Sequence, residues 1–305
     1  MMASRQTRGW IAVAMLLLLV SCATRPAERV SLAPPDSCYV FTDQVAVLSL
    51  PAGINDTAPI PYSLKTITRD GWGPAQQGAL VSAQGQISLR PLAEGIHILT
   101  LTPAGAAKPT ELRFVALAPP PKLDRQHLNL RHSAAKLWAG QPYTIVAMGD
   151  SVTATGDYAG ILAKLLQRAT GNAHIRVVVK GFPGRSVDAT VRHFARDIVP
   201  EHPDLGLLMY GLNDQAAGAP LAAYLEQYEW VARQFQTLHA DLLFLTPTPD
   251  ISRRPEVATH GLEIFRTIGY AAALEPVAQR CQVPLVDNFH TLWGSGGATL
   301  DASGR

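Results

Sequence analysis

Between residues 38 and 118, apolar and polar positions alternate over short runs, and a period of two predicts half-buried strands. The candidate strands are 39–42, 45–50, 63–68, 79–82, 86–89, 96–102 and 111–117. Turn formers separate them at Asp70-Gly71, Gln84-Gly85, Glu94-Gly95 and Pro103-Ala104-Gly105. About seven short strands over some 80 residues predict a small all-β, immunoglobulin-like sandwich. Beyond Ala118-Pro119-Pro120-Pro121, a stiff linker, the pattern changes. Apolar strands at 144–148, 175–179, 205–210, 242–246 and 284–287 alternate with helical stretches at 158–169, 187–199, 221–238 and 262–280. Strands with little internal alternation, separated by helices, predict an α/β unit: a parallel five-stranded sheet with helices on both faces. In such a sheet the reactive loops gather at the carboxyl ends of the strands. No repeat at solenoid spacing interrupts this pattern.

The N-terminus follows neither pattern. Arg5 and Arg8 precede an uncharged, mostly apolar run over residues 10–20, too short for a helix that needs about 20 residues to cross a bilayer. The run ends in Leu19-Val20-Ser21-Cys22, which looks like a bacterial lipobox, where small residues precede a cysteine whose thiol is acylated. The expectation is an exported protein anchored in the cell envelope by lipid on Cys22, at the outer membrane if the host is Gram-negative. An ordinary signal peptide or a short membrane anchor is the alternative. The expected organisation is therefore a signal at 1–22, a tether at 23–37, the β domain at 38–118, a linker at 119–142 and the α/β domain at 143–305.

Composition changes this picture little. Residues are 47% hydrophobic and 16% charged, as in a folded globular chain. Without Arg5 and Arg8, 24 basic residues face 24 acidic ones, so nothing favours capture of nucleic acid. Cys38 and Cys281 fall in different expected domains and read more readily as two thiols than as a disulfide. No Cys/His cluster has zinc-like spacing, and neither a metal nor an organic cofactor is expected.

The chemistry-bearing residues each follow a predicted strand. Gly149-Asp150-Ser151 follows the first, Gly181 and Gly184 the second, and Gly211-Leu212-Asn213-Asp214 the third; Asp287 ends the fifth, with His290 three residues on. In this order and spacing, the region from Tyr143 to the C-terminus resembles the SGNH, or GDSL-type, hydrolase family. The resemblance implies a flavodoxin-like sheet and a serine ester hydrolase with Ser151 as nucleophile. It also implies an oxyanion hole made by the N–H groups of Ser151 and Gly181 and the Asn213 side-chain amide, and an Asp287–His290 pair as orienter and base. A serine hydroxyl needs such a base, and the oxyanion needs preorganised donors. Two sources of the base stay open: His290, or a block beyond Arg305. His260 is a further candidate, although a loop histidine is the plainer reading.

Plain structural roles compete elsewhere. Ser151 alone suits a helix N-cap and Asn213-Asp214 a turn. Gly184 reads as a turn residue, Asp150 as a loop support, Asp188 and Asp214 as capping or solvated carboxylates, and His193 as structural. Trp72 could stack on a sugar or sit in the sandwich core. The expected substrate is a short acyl or acetyl ester of carbohydrate. Alternatives are a lipid ester, or no turnover at all in a surface-anchored binding protein.

Overall fold

The computed structural model describes residues 29–32, 39–50, 58–68, 71–83, 85–89, 93–104, 108–120, 130–249 and 260–291. The expected signal segment, Cys22 and Cys38 lie outside them, as does the side chain of Trp72. The chain divides into two compact units between Pro119 and Pro120.

The first unit is all β. Its elements are β1 (Arg29–Leu32), β2 (Tyr39–Phe41), β3 (Val45–Ser49), β4 (Ile60–Thr68), β5 (Gly71–Trp72), β6 (Gln76–Leu80), β7 (Gln86–Leu89), β8 (Gly95–Leu101) and β9 (Thr110–Leu117). One sheet has the order β1-β3-β7; the other runs β2-β9-β8-β4-β5, with β6 also on β4. Period-two burial puts Ile87 and Leu89 in the core, with Leu99, Leu101, Phe114 and Ala116 from the second sheet. Residues 29–32, expected as tether, instead form β1, paired in parallel with β3. His97 is buried among these strands (1% exposed). It stacks on Phe114 with ring centroids 5.1 Å apart. Its Nε2 lies 2.8 Å from the Ala93 carbonyl and its Nδ1 3.0 Å from Thr66 Oγ1. The carbonyl can only accept, so Nε2 carries the proton and Nδ1 accepts from the hydroxyl.

The second unit is doubly wound. After α1 (Ala134–Trp138) come β10 (Tyr143–Gly149), α2 (Ser151–Thr155), α3 (Tyr158–Thr170), β11 (Ile175–Gly181) and α4 (Asp188–His193). Then follow β12 (Leu205–Met209), α5 (Leu212–Ala216), α6 (Leu221–Thr237), β13 (Asp241–Leu245), α7 (His260–Cys281) and β14 (Leu285–Val286). The five strands are all parallel, in the order β11-β10-β12-β13-β14. This is the flavodoxin-like arrangement, with order 2-1-3-4-5. Alternate residues of β10 supply two cores. Val146 and Met148 face α4, α6 and α7, whereas Tyr143, Ile145 and Ala147 face α1 and α3. Gly206 in β12 lets the Phe235 ring of α6 lie against the strand, where a Cβ would collide with it.

The helix expected over 187–199 is not one α-helix. It passes from α4 into a π turn (Phe194–Ile198) and a short 3-10 turn (Val199–Glu201) holding Pro200. Proline has no N–H to continue an α-helical ladder, and His202 then leaves in the left-handed region at φ 49°. At the opposite end of the sheet from the candidate site, Asp241 is buried. Its carboxylate accepts from the N–H groups of Arg131, His132 and Ser133 and from Ser133 Oγ, tying the entry to α1 onto β13.

Candidate active site

The turn after β10 is organised by Asp150. Its Oδ1 accepts from the Val152 N–H at 2.9 Å, which makes Asp150 the N-cap of α2. Ser151 is therefore the first helical residue rather than the cap, and it is exposed at the carboxyl end of β10. Gly181 ends the neighbouring strand, β11, in register with Gly149. A Cβ on Gly181 would collide with the backbone of Ala154 in α2, so the absence of a side chain lets these segments meet. The Phe182 N–H donates to the Gly149 carbonyl at 2.7 Å, locking the ends of β10 and β11 together.

The turn after β12 is held by tyrosines of α6. Tyr228 Oη accepts from the Tyr210 N–H at 2.8 Å, and both Tyr224 and Tyr228 hydroxyls donate to the Tyr210 carbonyl, at 3.0 and 3.2 Å. Tyr210 thereby finds partners for a backbone that has just left the sheet. Gly211 follows at φ 138°, a conformation that favours glycine, and a Cβ there would press on Pro247. The chain then enters α5 with Asn213 and Asp214 in its first turn.

These two side chains reach in different directions. Asn213 Nδ2 donates to Asp150 Oδ2 at 3.3 Å and to the Arg185 carbonyl at 3.2 Å. Asp214 Oδ1 accepts from the Val187 N–H at 3.1 Å. Consecutive residues of α5 thus clamp both ends of Arg185–Ser186–Val187. Within the same loop Gly184 takes φ 72°, the Arg185 N–H returns to the Phe182 carbonyl at 3.1 Å, and Phe182 stacks on His193. Asp214, expected as a capping or a solvated carboxylate, is not solvated: it is 1% exposed, and its Oδ2 has no hydrogen-bond partner among the described residues. Burial pushes its carboxyl up to about 6 against the Val187 hydrogen bond, and the charges of Asp150 and Asp188 add to the shift. Burial also raises the Asp150 carboxyl, opposed by the Val152 N–H. Asp188 pairs with Arg192 along α4.

Asp287 and His290 form a pair of their own. Residues 288–291 make one helical turn after β14, and Asp287 Oδ1 accepts from the His290 N–H at 3.1 Å. Oδ2 lies 2.7 Å from His290 Nδ1. The carboxylate places the proton on Nδ1 and leaves the Nε2 lone pair as the basic site. Phe289, 1% exposed, anchors the turn, its N–H bonded to Thr246 Oγ1 at 2.9 Å. Asn288 Nδ2 reaches Met209 Sδ, at the end of β12, at 3.5 Å. The structure thus gathers the Ser151 turn, Gly181 and Asn213, and separately pairs Asp287 with His290 on the same sheet edge. No hydrogen bond joins Ser151 Oγ to His290 among the described residues. His260 begins α7, and its side chain lies outside the described residues. Among those residues no three His, Cys, Asp or Glu side chains converge to hold a metal ion.

A flavodoxin-like sheet with Gly-Asp-Ser, Gly and Gly-x-Asn-Asp at successive strand ends defines a class of α/β protein. The family follows from the sequence: a model of the GDSL-like lipase/acylhydrolase family matches residues 147–304, and the chain belongs to that family. Solved structures similar to part of the chain include a G-D-S-L family protein from Desulfitobacterium hafniense DCB-2, at 17% identity and TM-score 0.39 over 47% of this chain and 76% of that one. Another is the acetylxylan esterase Axe2 from Geobacillus stearothermophilus, at 19% identity and TM-score 0.42 over 49% and 78%. No curated protein matches the sequence.

Proposed function

We propose that this family member hydrolyses carboxylic esters through an acyl-serine intermediate on Ser151. The carrying observation is that Ser151 and Asn213 share one sheet edge, tied through Asp150. Ser151 Oγ attacks the acyl carbon and its proton passes to His290 Nε2, which returns it to the leaving alcohol. Water then repeats the sequence and frees the acid. Asp287 keeps the imidazole in the required tautomer. Negative charge on the carbonyl oxygen is met by the N–H groups of Ser151 and Gly181 and by the Asn213 amide. Export on a lipidated Cys22 and the separate all-β unit favour a short acyl or acetyl ester of carbohydrate as substrate.

Hydrolysis of p-nitrophenyl acetate by the full chain tests this reading. Ser151→Ala should abolish turnover, and Asn213→Ala should lower kcat by about 10²–10³-fold. His290→Ala should match Ser151→Ala with the fold intact; if it stays active while Ser151→Ala does not, the base lies elsewhere. Preference for long-chain over acetyl esters would overturn the carbohydrate assignment. Absence of Ser151-dependent turnover would leave a binding protein on a hydrolase fold. The anchor is read separately, by mass spectrometry of the mature N-terminus.

A further inference from the structure

The side-chain amide of Asn213 has two protons, and both are occupied. One points to Asp150 Oδ2 and the other to the Arg185 carbonyl. Both neighbours are acceptors, so the orientation of the amide is fixed: turning it over would set its oxygen against a carboxylate and a carbonyl. Asp150 is itself held at both oxygens. It is 2% exposed, and its other oxygen caps α2 through the Val152 N–H. One carboxylate therefore spans two elements that sequence separates by more than sixty residues: the helix that begins with Ser151 and the turn that carries Asn213.

We propose that Asp150 is a positioning residue for the oxyanion hole: it fixes one Asn213 amide proton, so that the proton resting on the Arg185 carbonyl is the one given to the oxyanion. This rests on the reading of Ser151 and Asn213 above and deepens it. In the resting site the Arg185 carbonyl is the competitor. It carries a partial negative charge and loses its partner when the tetrahedral intermediate, with a full charge, takes the proton. A charge-assisted hydrogen bond is roughly twice as strong as a neutral one, so the exchange favours the intermediate and not the neutral substrate carbonyl. The contribution of Asp150 is thereby confined to the transition state, and its removal should appear in kcat rather than KM.

Two substitutions separate this role from helix capping. Asp150→Asn keeps an oxygen for the Val152 N–H but turns an N–H₂ group toward the Asn213 amide. Asp150→Ser keeps a cap and cannot reach Asn213. With p-nitrophenyl acetate and the full chain, each should lower kcat by about 10²–10³-fold while KM stays within about threefold. In a cycle with Asn213→Ala, the double variants should be no more than about threefold slower than the slower single variant, because both changes remove the same donor. Multiplying effects, a change in KM alone, or full activity in both Asp150 variants would overturn the proposal. Denaturant midpoints for the same proteins read the contact without turnover. Effects of Asp150→Ser and Asn213→Ala on stability should be non-additive, and strict additivity would overturn the proposal even in an active enzyme. If the parent protein shows no Ser151-dependent turnover but the stability coupling is present, the hydrolase reading fails and the contact stands.

Discussion

Two carboxylates sit within a few residues of the candidate nucleophile and oxyanion donor, and their surroundings set them apart. Asp150 has both oxygens engaged, whereas Asp214 has one buried oxygen without a partner among the described residues. An acid whose folded value is raised to about 6 binds its proton more tightly in the folded than in the unfolded state. Its contribution to stability is then full below the unfolded value, near 3.8, and is lost as pH rises through about 6. Asp214→Asn keeps an acceptor for the Val187 N–H and removes the titration. Denaturant unfolding should therefore show the variant gaining on the parent between pH 4 and 7, by on the order of 2–3 kcal/mol. Tyr228 offers a second test at this scale. Tyr228→Phe leaves the buried Tyr210 N–H without its acceptor. The expected cost is about 1–3 kcal/mol by denaturation, with a loss in kcat as the Gly211–Asn213 turn loosens.

At the level of elements, the β unit carries its own acid sensitivity. Burial lowers the His97 pKa, against the pull of the Ala93 carbonyl, so the unfolded chain takes up a proton first as the medium is acidified. The stability of this unit is fully present above the unfolded value of 6.5 and declines as pH falls below it. Hydrogen exchange of β8 and β9 amides, corrected for its intrinsic pH dependence, should accelerate between pH 7 and 5, and His97→Gln should remove part of that change. These elements also show what the chain makes legible. Alternation located most strands of the β unit, whereas those of the α/β unit, buried on both faces, were legible as unbroken apolar runs between helical stretches. It missed β1, whose pairing with β3 is not a property of its own residues. It also ran one helix through 187–199, because the π turn conserves the apolar face that a helical pattern reports. The positions of Ser151, Gly181 and Asn213 at the carboxyl ends of adjacent strands were legible from motif order. The Asp150–Asn213 contact and the Tyr224 and Tyr228 hydroxyls were not, since each depends on which strand lies beside which.

For the whole molecule, the division between Pro119 and Pro120 leaves each unit with its own core, and every candidate catalytic residue falls after it. Residues 120–305 expressed alone should keep p-nitrophenyl acetate turnover within about twofold of the full chain, as expected of an autonomous domain. If the β unit serves to hold glycan, the same truncation should lose activity on insoluble acetylated polysaccharide. No helix among the described residues is long and apolar enough to cross a membrane. The clamp on the loop after β11 bears on how such a protein can diversify. Asn213 grips residue 185 and Asp214 grips residue 187, so the loop is pinned at two points two residues apart. An insertion or deletion between Arg185 and Val187 would tear one grip loose and pull on the candidate oxyanion donor with it. Relatives that keep both grips are therefore expected to vary this segment by exchanging side chains at constant length.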